Sequence, residues 1–204
     1  MQIIEPSVTL ERGLDDNVMA FIEKCGRTCY KSEANITGDS AEKFVRMLIK
    51  RGHESVLEHA SATFRIVCDR GVMAEFTRHR LASFSIESTR YCDYSRRGVA
   101  FIRPCYWDEC NINFDIWENA MIRAEGTYFD LRDNGCPPEE ARAVLPLSLA
   151  AEMVVTANLR EWRHILRLRT SSKAHPQMLQ IADMIYAVFK AKLPVLVEDI
   201  QNDG

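Results

Sequence analysis

Apolar positions along the chain recur with two periods. Between Ala60 and Cys68, Ala62, Phe64, Ile66 and Cys68 alternate against Thr63, Arg65 and Val67, the period-two pattern of a strand. Two helical patterns precede it, Leu14 to Cys25 and Ser40 to Arg51; Asp39 or Ser40 caps the second and Gly52 stops it. Met1 to Ile4 is the first strand candidate, Val99 to Arg103 a later one, and Leu147 to Thr156 an apolar, mixed one.

Asp69-Arg70-Gly71 turns the chain into a short helix that ends near an arginine-rich string. A long helix, about Phe114 to Asp133, closes at Asn134-Gly135. Pro137-Pro138-Glu139-Glu140 starts a short helix that has to end near Leu145-Pro146, because a residue before proline is pushed out of helical backbone. Asn158 to Arg169 and Pro176 to Ala191 are the last two helices. Strands and helices mix without regular β-α alternation, so the expected class is α+β rather than doubly wound. No repeat or linker-like stretch interrupts the 204 residues, which fit one domain, residues 1–204.

Composition removes several function classes. No apolar run reaches the ~20 residues that span a bilayer, and the N-terminus lacks a signal-peptide pattern, so no membrane role and a cytoplasmic location are expected. Seven cysteines, an odd number without C-x-x-C spacing, fit thiols in a reducing compartment. A formal net charge of −3 lacks the basic footprint of a nucleic-acid binder, so any anion has to be held by local arginines.

Those arginines concentrate in Arg78-His79-Arg80-Leu81-Ala82-Ser83-Phe84-Ser85-Ile86-Glu87-Ser88-Thr89-Arg90-Tyr91. A guanidinium grips phosphate through two parallel donors and serine hydroxyls add short neutral ones, so phosphate-bearing ligands match. A solvated turn with surface arginines is the plain alternative. Upstream, His53-Glu54-Ser55-Val56-Leu57-Glu58-His59 invites a metal assignment. A zincin needs H-E-x-x-H on one helical face, whereas His53 and His59 are six positions apart, and no metal is expected.

Downstream, at about 100° per residue, Leu159, Trp162, Ile165 and Leu166 form an apolar stripe and Arg160, Arg163, His164 and Arg167 the opposite face. Asn158 and Arg169 break the pattern. A guanidinium beside the apolar side needs a carboxylate or a ligand anion, and a structural ion pair is the commoner outcome.

The arginine-rich string resembles the signature of the flavin-dependent thymidylate synthases, R-H-R-x-x-S-x-N-x-x-S-x-R-Y. Ser85 stands in place of the asparagine, and Ile86 where a polar residue is expected, leaving Glu87 to supply polarity. His53 to His59 is similar to the family's G-H-x-S/T-x-x-E-H segment, Asn158 to Arg169 to its downstream helix, and Arg142 before Leu145-Pro146 to a further nucleotide-binding arginine. The likeness runs from about Gly52 to Gln177. Lys173-Ala174-His175-Pro176-Gln177 departs from the A-Q-x-E of many relatives, and no role is carried onto it.

The resemblance implies an α+β fold with a mixed antiparallel sheet flanked by helices. It also implies conversion of dUMP to dTMP with FAD as cofactor, and NADPH and methylenetetrahydrofolate as co-substrates. It places Glu75, Arg78, Glu87, Ser88, Arg90, Arg142 and Arg169 at dUMP. Ser55, Glu58, Arg78, His79, Arg80, Asn158, Arg160 and His164 fall at FAD, and His53 by the flavin and folate. Arg169, Ser88 and His53 are the catalytic candidates, Ser88 as a positioning hydroxyl because no base sits in triad spacing to it. A homotetramer with shared active sites is expected. Two other readings stay open: a non-catalytic module gripping RNA or a nucleotide, and a flavin reductase lacking methyl transfer.

Overall fold

The computed structural model describes residues 1–201. In chain order its elements are β1 (Gln2–Ile4), β2 (Ser7–Arg12), α1 (Val18–Thr28), α2 (Ser40–Lys50), β3 (Ser61–Asp69), α3 (Arg70–Phe76), β4 (Ala82–Ile86), β5 (Ala100–Ile102), α4 (Ile112–Asp133), α5 (Pro138–Ala141), β6 (Ala150–Asn158), α6 (Leu159–Arg169) and α7 (Pro176–Lys192). The class is α+β, as expected. A four-stranded sheet has the order β2-β3-β6-β4, and β1 pairs in parallel with β5, Gln2 opposite Ala100 and Ile4 opposite Ile102.

The chain divides into two compact units. The first comprises Met1–Ser7, Ile66–Arg78 and Ser85–Met153; the second comprises Val8–Arg65, His79–Phe84 and the chain from Val154 onward. In the first, Phe101, Phe114, Trp117, Met121, Tyr128 and Leu149 form one buried cluster. Glu125 lies beside it, accepting from the Val99 backbone N–H at 3.0 Å and pairing with the terminal amine of Met1 at 2.6 Å.

In the second unit, the Phe64 ring meets Trp162 edge-on at 4.9 Å and Phe189 at 5.7 Å, and Trp162 Nε1 donates to the Ala62 carbonyl at 2.9 Å. That bond satisfies the indole's one donor inside an apolar core. Gly13, at φ +104°, allows the chain after β2 to press on β3: a Cβ there would lie 2.0 Å from the Ser61 carbonyl oxygen.

Several boundaries differ from the sequence expectation, each for a local reason. Helix α1 starts at Val18 instead of Leu14, because Asp15 takes the Asn17 N–H on its carboxylate and the Val18 N–H on its carbonyl, an Asx-type turn that competes with helix. Asp39 precedes α2 without capping it; its carboxylate binds Lys43 and Thr37. Gly52 does end the helix, at φ +71°. Strand β6 starts at Ala150, three residues late, since the Leu149 N–H closes a turn onto Pro146 and Leu147 is 71% exposed.

Two strands, β2 and β4, lay outside the expected elements. In β4, Ala82, Phe84 and Ile86 alternate with the exposed Ser83 and Ser85 inside the arginine-rich string, where chemistry masked a period-two pattern.

The largest correction concerns α6. Its apolar stripe Leu159, Trp162, Ile165 and Leu166 is fully buried, but Arg163, expected on the solvent face, is 1% exposed. The C-terminal segment covers it: Arg163 donates to the Leu196 carbonyl and to Asp199, with Glu54 on its other amine. A buried guanidinium is tolerable because those acceptors replace water.

Candidate functional site

Arg78 ends a segment of the first unit and His79 begins one of the second, so the arginine-rich string contributes to both. In the second unit, Asn158 caps α6, its Oδ1 accepting the Glu161 N–H at 2.8 Å. The cap fixes the first turns of the helix, and Asn158, Arg160, Glu161, His164 and Arg167 line a cavity of about 410 Å³ with Glu54, Glu58 and Leu81. A neighbouring cavity of about 420 Å³ shares Glu58, Leu81 and Asn158 and adds Arg80 and Ser83. Thus five of the residues expected at a flavin, namely Glu58, Arg80, Asn158, Arg160 and His164, lie on two adjoining concavities.

Charges around these cavities are arranged in pairs. Arg160 binds Glu58. Glu54 bridges Arg163 at 3.1 Å and Arg167 at 2.8 Å, and Asp199 binds the same two guanidiniums. Burial alone would raise the Glu54 carboxyl; the hydrogen bonds and charges of the two arginines outweigh it and hold it below the usual carboxylate range.

His79 is buried, with 5% exposure, and its Nε2 accepts from Arg169 Nε at 3.2 Å. With Nε2 accepting, the neutral ring carries its proton on Nδ1, which lies 3.6 Å from Glu161 Oε1. Burial pushes the imidazole down to about 4, with the charges of Arg169 and His164 adding to the shift. The Glu161 carboxyl is raised, again chiefly by burial. The half-buried Arg169 therefore has among its partners an imidazole nitrogen, where the sequence called for a carboxylate or an anion.

His53 and Ser55 are exposed, and neither is among the residues lining these two cavities. His53 precedes the 3-10 turn Glu54–His59 without a side-chain cap bond, and His59 is exposed as well. The one His and acid grouping with ligand-like spacing among the described residues is elsewhere: His79, Glu161 and His164, with candidate atoms within 4.8 Å of one another. Arg169 already occupies Nε2 of His79, and a fixed guanidinium opposes a metal cation beside it.

In the first unit, a tight turn brings Ser88, Thr89 and Arg90 together with α5 and the 3-10 turn Arg142–Val144. Ser88 Oγ accepts the Arg90 N–H at 3.3 Å, Arg90 pairs with Glu139 at 3.3 Å, and Arg142 donates to Thr89 Oγ1 at 2.9 Å and to the Glu139 carbonyl at 3.1 Å. Arg90 and Arg142 are both exposed; the Arg90–Glu139 ion pair, long and solvated, is worth ~0–1 kcal/mol and leaves Arg90 open to another anion, while Arg142 is held by neutral acceptors.

Glu87 is differently placed, its carboxylate accepting from Tyr94 Oη at 2.9 Å and from the Glu152 N–H at 3.3 Å. Arg78 is exposed at the end of α3, its N–H bonded to the Glu75 carbonyl at 3.3 Å. Of the departures from the signature, Ser85 sits on the exposed face of β4 and Ile86 is half-buried.

The sequence reading missed Glu54, Leu81, Glu161 and Arg167 as cavity residues. Glu161 carried a signal, lying one turn before His164 on α6. Glu54 carried none, because its partners Arg163 and Arg167 are more than 100 positions away.

Residues 15–195 match the family described as thymidylate synthase complementing protein. A probable flavin-dependent thymidylate synthase of Mycobacterium phage L5 is 34% identical over 194 residues, covering 88% of this chain and 79% of that one. The flavin-dependent thymidylate synthase of Geobacter sulfurreducens is 30% identical over 187 residues, covering 88% and 81%. Among solved structures, a UMP/dUMP methylase of Streptomyces cacaoi bound with 5-Br dUMP superposes with a TM-score of 0.81 at 25% identity, over 97% of this chain and 96% of that one.

Proposed function

This chain belongs to the thymidylate synthase complementing protein family, and on that premise we propose that it converts dUMP to dTMP, with FAD as its flavin, methylenetetrahydrofolate as carbon donor and NADPH as reductant. The observation that carries the flavin assignment is the gathering of Glu58, Arg80, Asn158, Arg160 and His164 on two adjoining cavities. Their chemistry fits the cofactor. Arg80 and Arg160 suit a pyrophosphate, and the amide and imidazole offer neutral donors and acceptors to a ring system. Bound and reduced, the flavin supplies the hydride that completes the methyl group.

The chain's own residues orient and polarise. Ser88, Arg90 and Arg142 hold the nucleotide phosphate, with Arg78 and Glu75 as further dUMP contacts and Glu87 fixed by Tyr94 at the edge of that set. Arg169 stabilises negative charge developing on the uracil ring, a task for a guanidinium held in place before the reaction. His79 holds it, and stays neutral at physiological pH, so it adds no second positive charge there. His53 and Ser55, being exposed, suit contact with folate and flavin at the mouth of the site.

We place the protein in the cytoplasm; no helix among the described residues is long and apolar enough to cross a membrane. Its assembly is a homotetramer with shared active sites, so light scattering after gel filtration should give about four times the 23.4 kDa chain mass. A fully active monomer contradicts shared sites.

The deciding assay is dTMP formation from dUMP with FAD, NADPH and methylenetetrahydrofolate, run beside an absorption spectrum of the purified protein. Bound flavin bands and dTMP are expected. Bound flavin that NADPH bleaches without dTMP formation would leave a flavin reductase. No flavin binding at all would leave a nucleotide-binding module.

A further inference from the structure

The first unit contains a cavity of about 410 Å³ whose walls include Tyr91, Tyr94, Arg96, Arg97, Glu87 and Asp93. Of these only Glu87 has a place in the reaction as proposed above. Both acids are committed: Glu87 to Tyr94 Oη and the Glu152 N–H, and Asp93 to Arg132 at 2.8 Å and the Ser95 N–H at 3.0 Å. Arg96 and Arg97 are exposed, and among the described residues their guanidiniums have neither a hydrogen bond nor an ion pair. The uncommitted charge on this cavity is therefore two adjacent cations.

The segment that carries them is built to hold still. Asp93 caps the 3-10 turn Tyr94–Arg96, and Arg132 on α4 pins the cap. Tyr94 is buried under the turn, its N–H donating to Tyr128 Oη at 3.3 Å and its ring edge-on to Tyr128 at 6.0 Å. The Arg97 and Gly98 N–H groups both return to the Tyr94 carbonyl, and Gly98 leaves the turn at φ +78°. Mobile side chains on an anchored backbone lose less entropy on capturing a dianion than side chains on a loose loop. Tyr91, 79% exposed and with the Arg90 guanidinium 5.4 Å from its ring centroid, adds an aromatic ring to the same cavity.

We infer that this cavity is a second phosphomonoester site, in which Arg96 and Arg97 grip the 2′-phosphate of NADPH and Tyr91 stacks on its adenine. The inference rests on the reaction proposed above, and chemistry selects the ligand from its participants. The phosphate of dUMP has Ser88, Arg90 and Arg142. FAD carries only a pyrophosphate diester, and the folate carries carboxylates. NADPH alone brings a second phosphomonoester, and paired guanidiniums match a dianion as they do in other enzymes that distinguish NADPH from NADH. Aromatic side chains stack on bases irrespective of base identity.

The test uses the full chain. Calorimetry with 2′,5′-ADP and 5′-AMP as probes should show the former binding about 10- to 100-fold tighter, the range a charge-assisted contact supplies. In Arg96→Ala/Arg97→Ala the two probes should bind equally, and the preference for NADPH over NADH in anaerobic flavin bleaching should collapse by the same factor. Arg96→Lys/Arg97→Lys should restore part of it, and thermal unfolding reports whether either variant is folded. Equal binding of both probes to the unaltered protein overturns the inference, as does a variant that loses NADPH and NADH alike. A variant that loses affinity for polyglutamylated folate while keeping 2′,5′-ADP also overturns it, and assigns the arginines to carboxylates. If the protein discriminates the two probes but makes no dTMP, the site stands and the proposed reaction falls.

Discussion

Arg169, the last residue of α6, donates its Nε proton to Nε2 of His79, the middle residue of the Arg78-His79-Arg80 string, at 3.2 Å. Residues 90 positions apart thus act as a pair. A histidine accepting from a guanidinium has to be neutral, and a guanidinium bonded to a buried ring has fewer orientations open to it.

Arg169→Ala should weaken dUMP binding by on the order of tenfold to a hundredfold, the equivalent of a charge-assisted contact of ~1.5–3 kcal/mol. Turnover should fall with affinity if charge develops on the uracil ring at the transition state, and flavin should still bind. Measuring dUMP affinity, FAD affinity and thermal unfolding on one preparation separates this from simple damage. Unchanged dUMP binding accompanied by a large loss of stability would sink the assignment.

His79 should titrate near pH 4 when its Cε1 proton is followed by NMR. The sign follows from the depressed value. Between about pH 6.5 and 4 the unfolded chain binds the proton and the folded chain does not, so this group's contribution to stability is whole above 6.5 and lost as pH falls. In Arg169→Ala the titration should move upward, because burial remains and one opposing charge is gone. A His79 resonance titrating at 6.5 in the unaltered protein would refute the buried, guanidinium-bonded ring.

Arg163 and Arg167 share Glu54 and Asp199 but differ in burial, 1% against 41% exposed side chains. Arg163→Ala should cost ~3–5 kcal/mol, since it leaves the buried Leu196 carbonyl without its donor and removes the buried one of the two guanidiniums that neutralise Glu54 and Asp199. Arg167→Ala should cost ~1 kcal/mol or less, the range of an exposed pair. Urea unfolding of the two variants checks the contrast, and equal losses would mean that the network, rather than burial, sets the cost.

Gly13→Ala should destabilise by at least ~1–3 kcal/mol, because the backbone there is left-handed at φ +104° and the new methyl would meet the Ser61 carbonyl. Gly135→Ala, also at positive φ but with open space around it, is the control and should cost less. Thermal melts that rank the two the other way would place the constraint in the backbone angle rather than in the contact with β3.

Much was legible before the structure because it depends on near neighbours. The alternation of Ala62, Phe64, Ile66 and Cys68 defined β3 and its buried face, since side chains two apart in a strand share one side. The stripe of Leu159, Trp162, Ile165 and Leu166 defined the core face of α6 for the corresponding helical reason. The arginine-rich string announced anion chemistry through residue type alone, and its likeness to a known signature carried the family.

Tertiary structure decided what depends on distant partners. Arg163 was expected opposite the stripe, yet it follows Leu159 by four residues and so borders it, and the packing of residues 194–201 made that border an interior. Arg169 was legible as an awkward cation; that an imidazole would receive it depended on where the chain folds His79. The uncommitted Arg96 and Arg97 look in sequence like any solvated pair, and they stand out only because Asp93 and Glu87 are bound elsewhere. Local period and residue type are properties of a few consecutive residues, whereas burial and charge pairing are settled by groups far along the chain, and no window of sequence contains both partners.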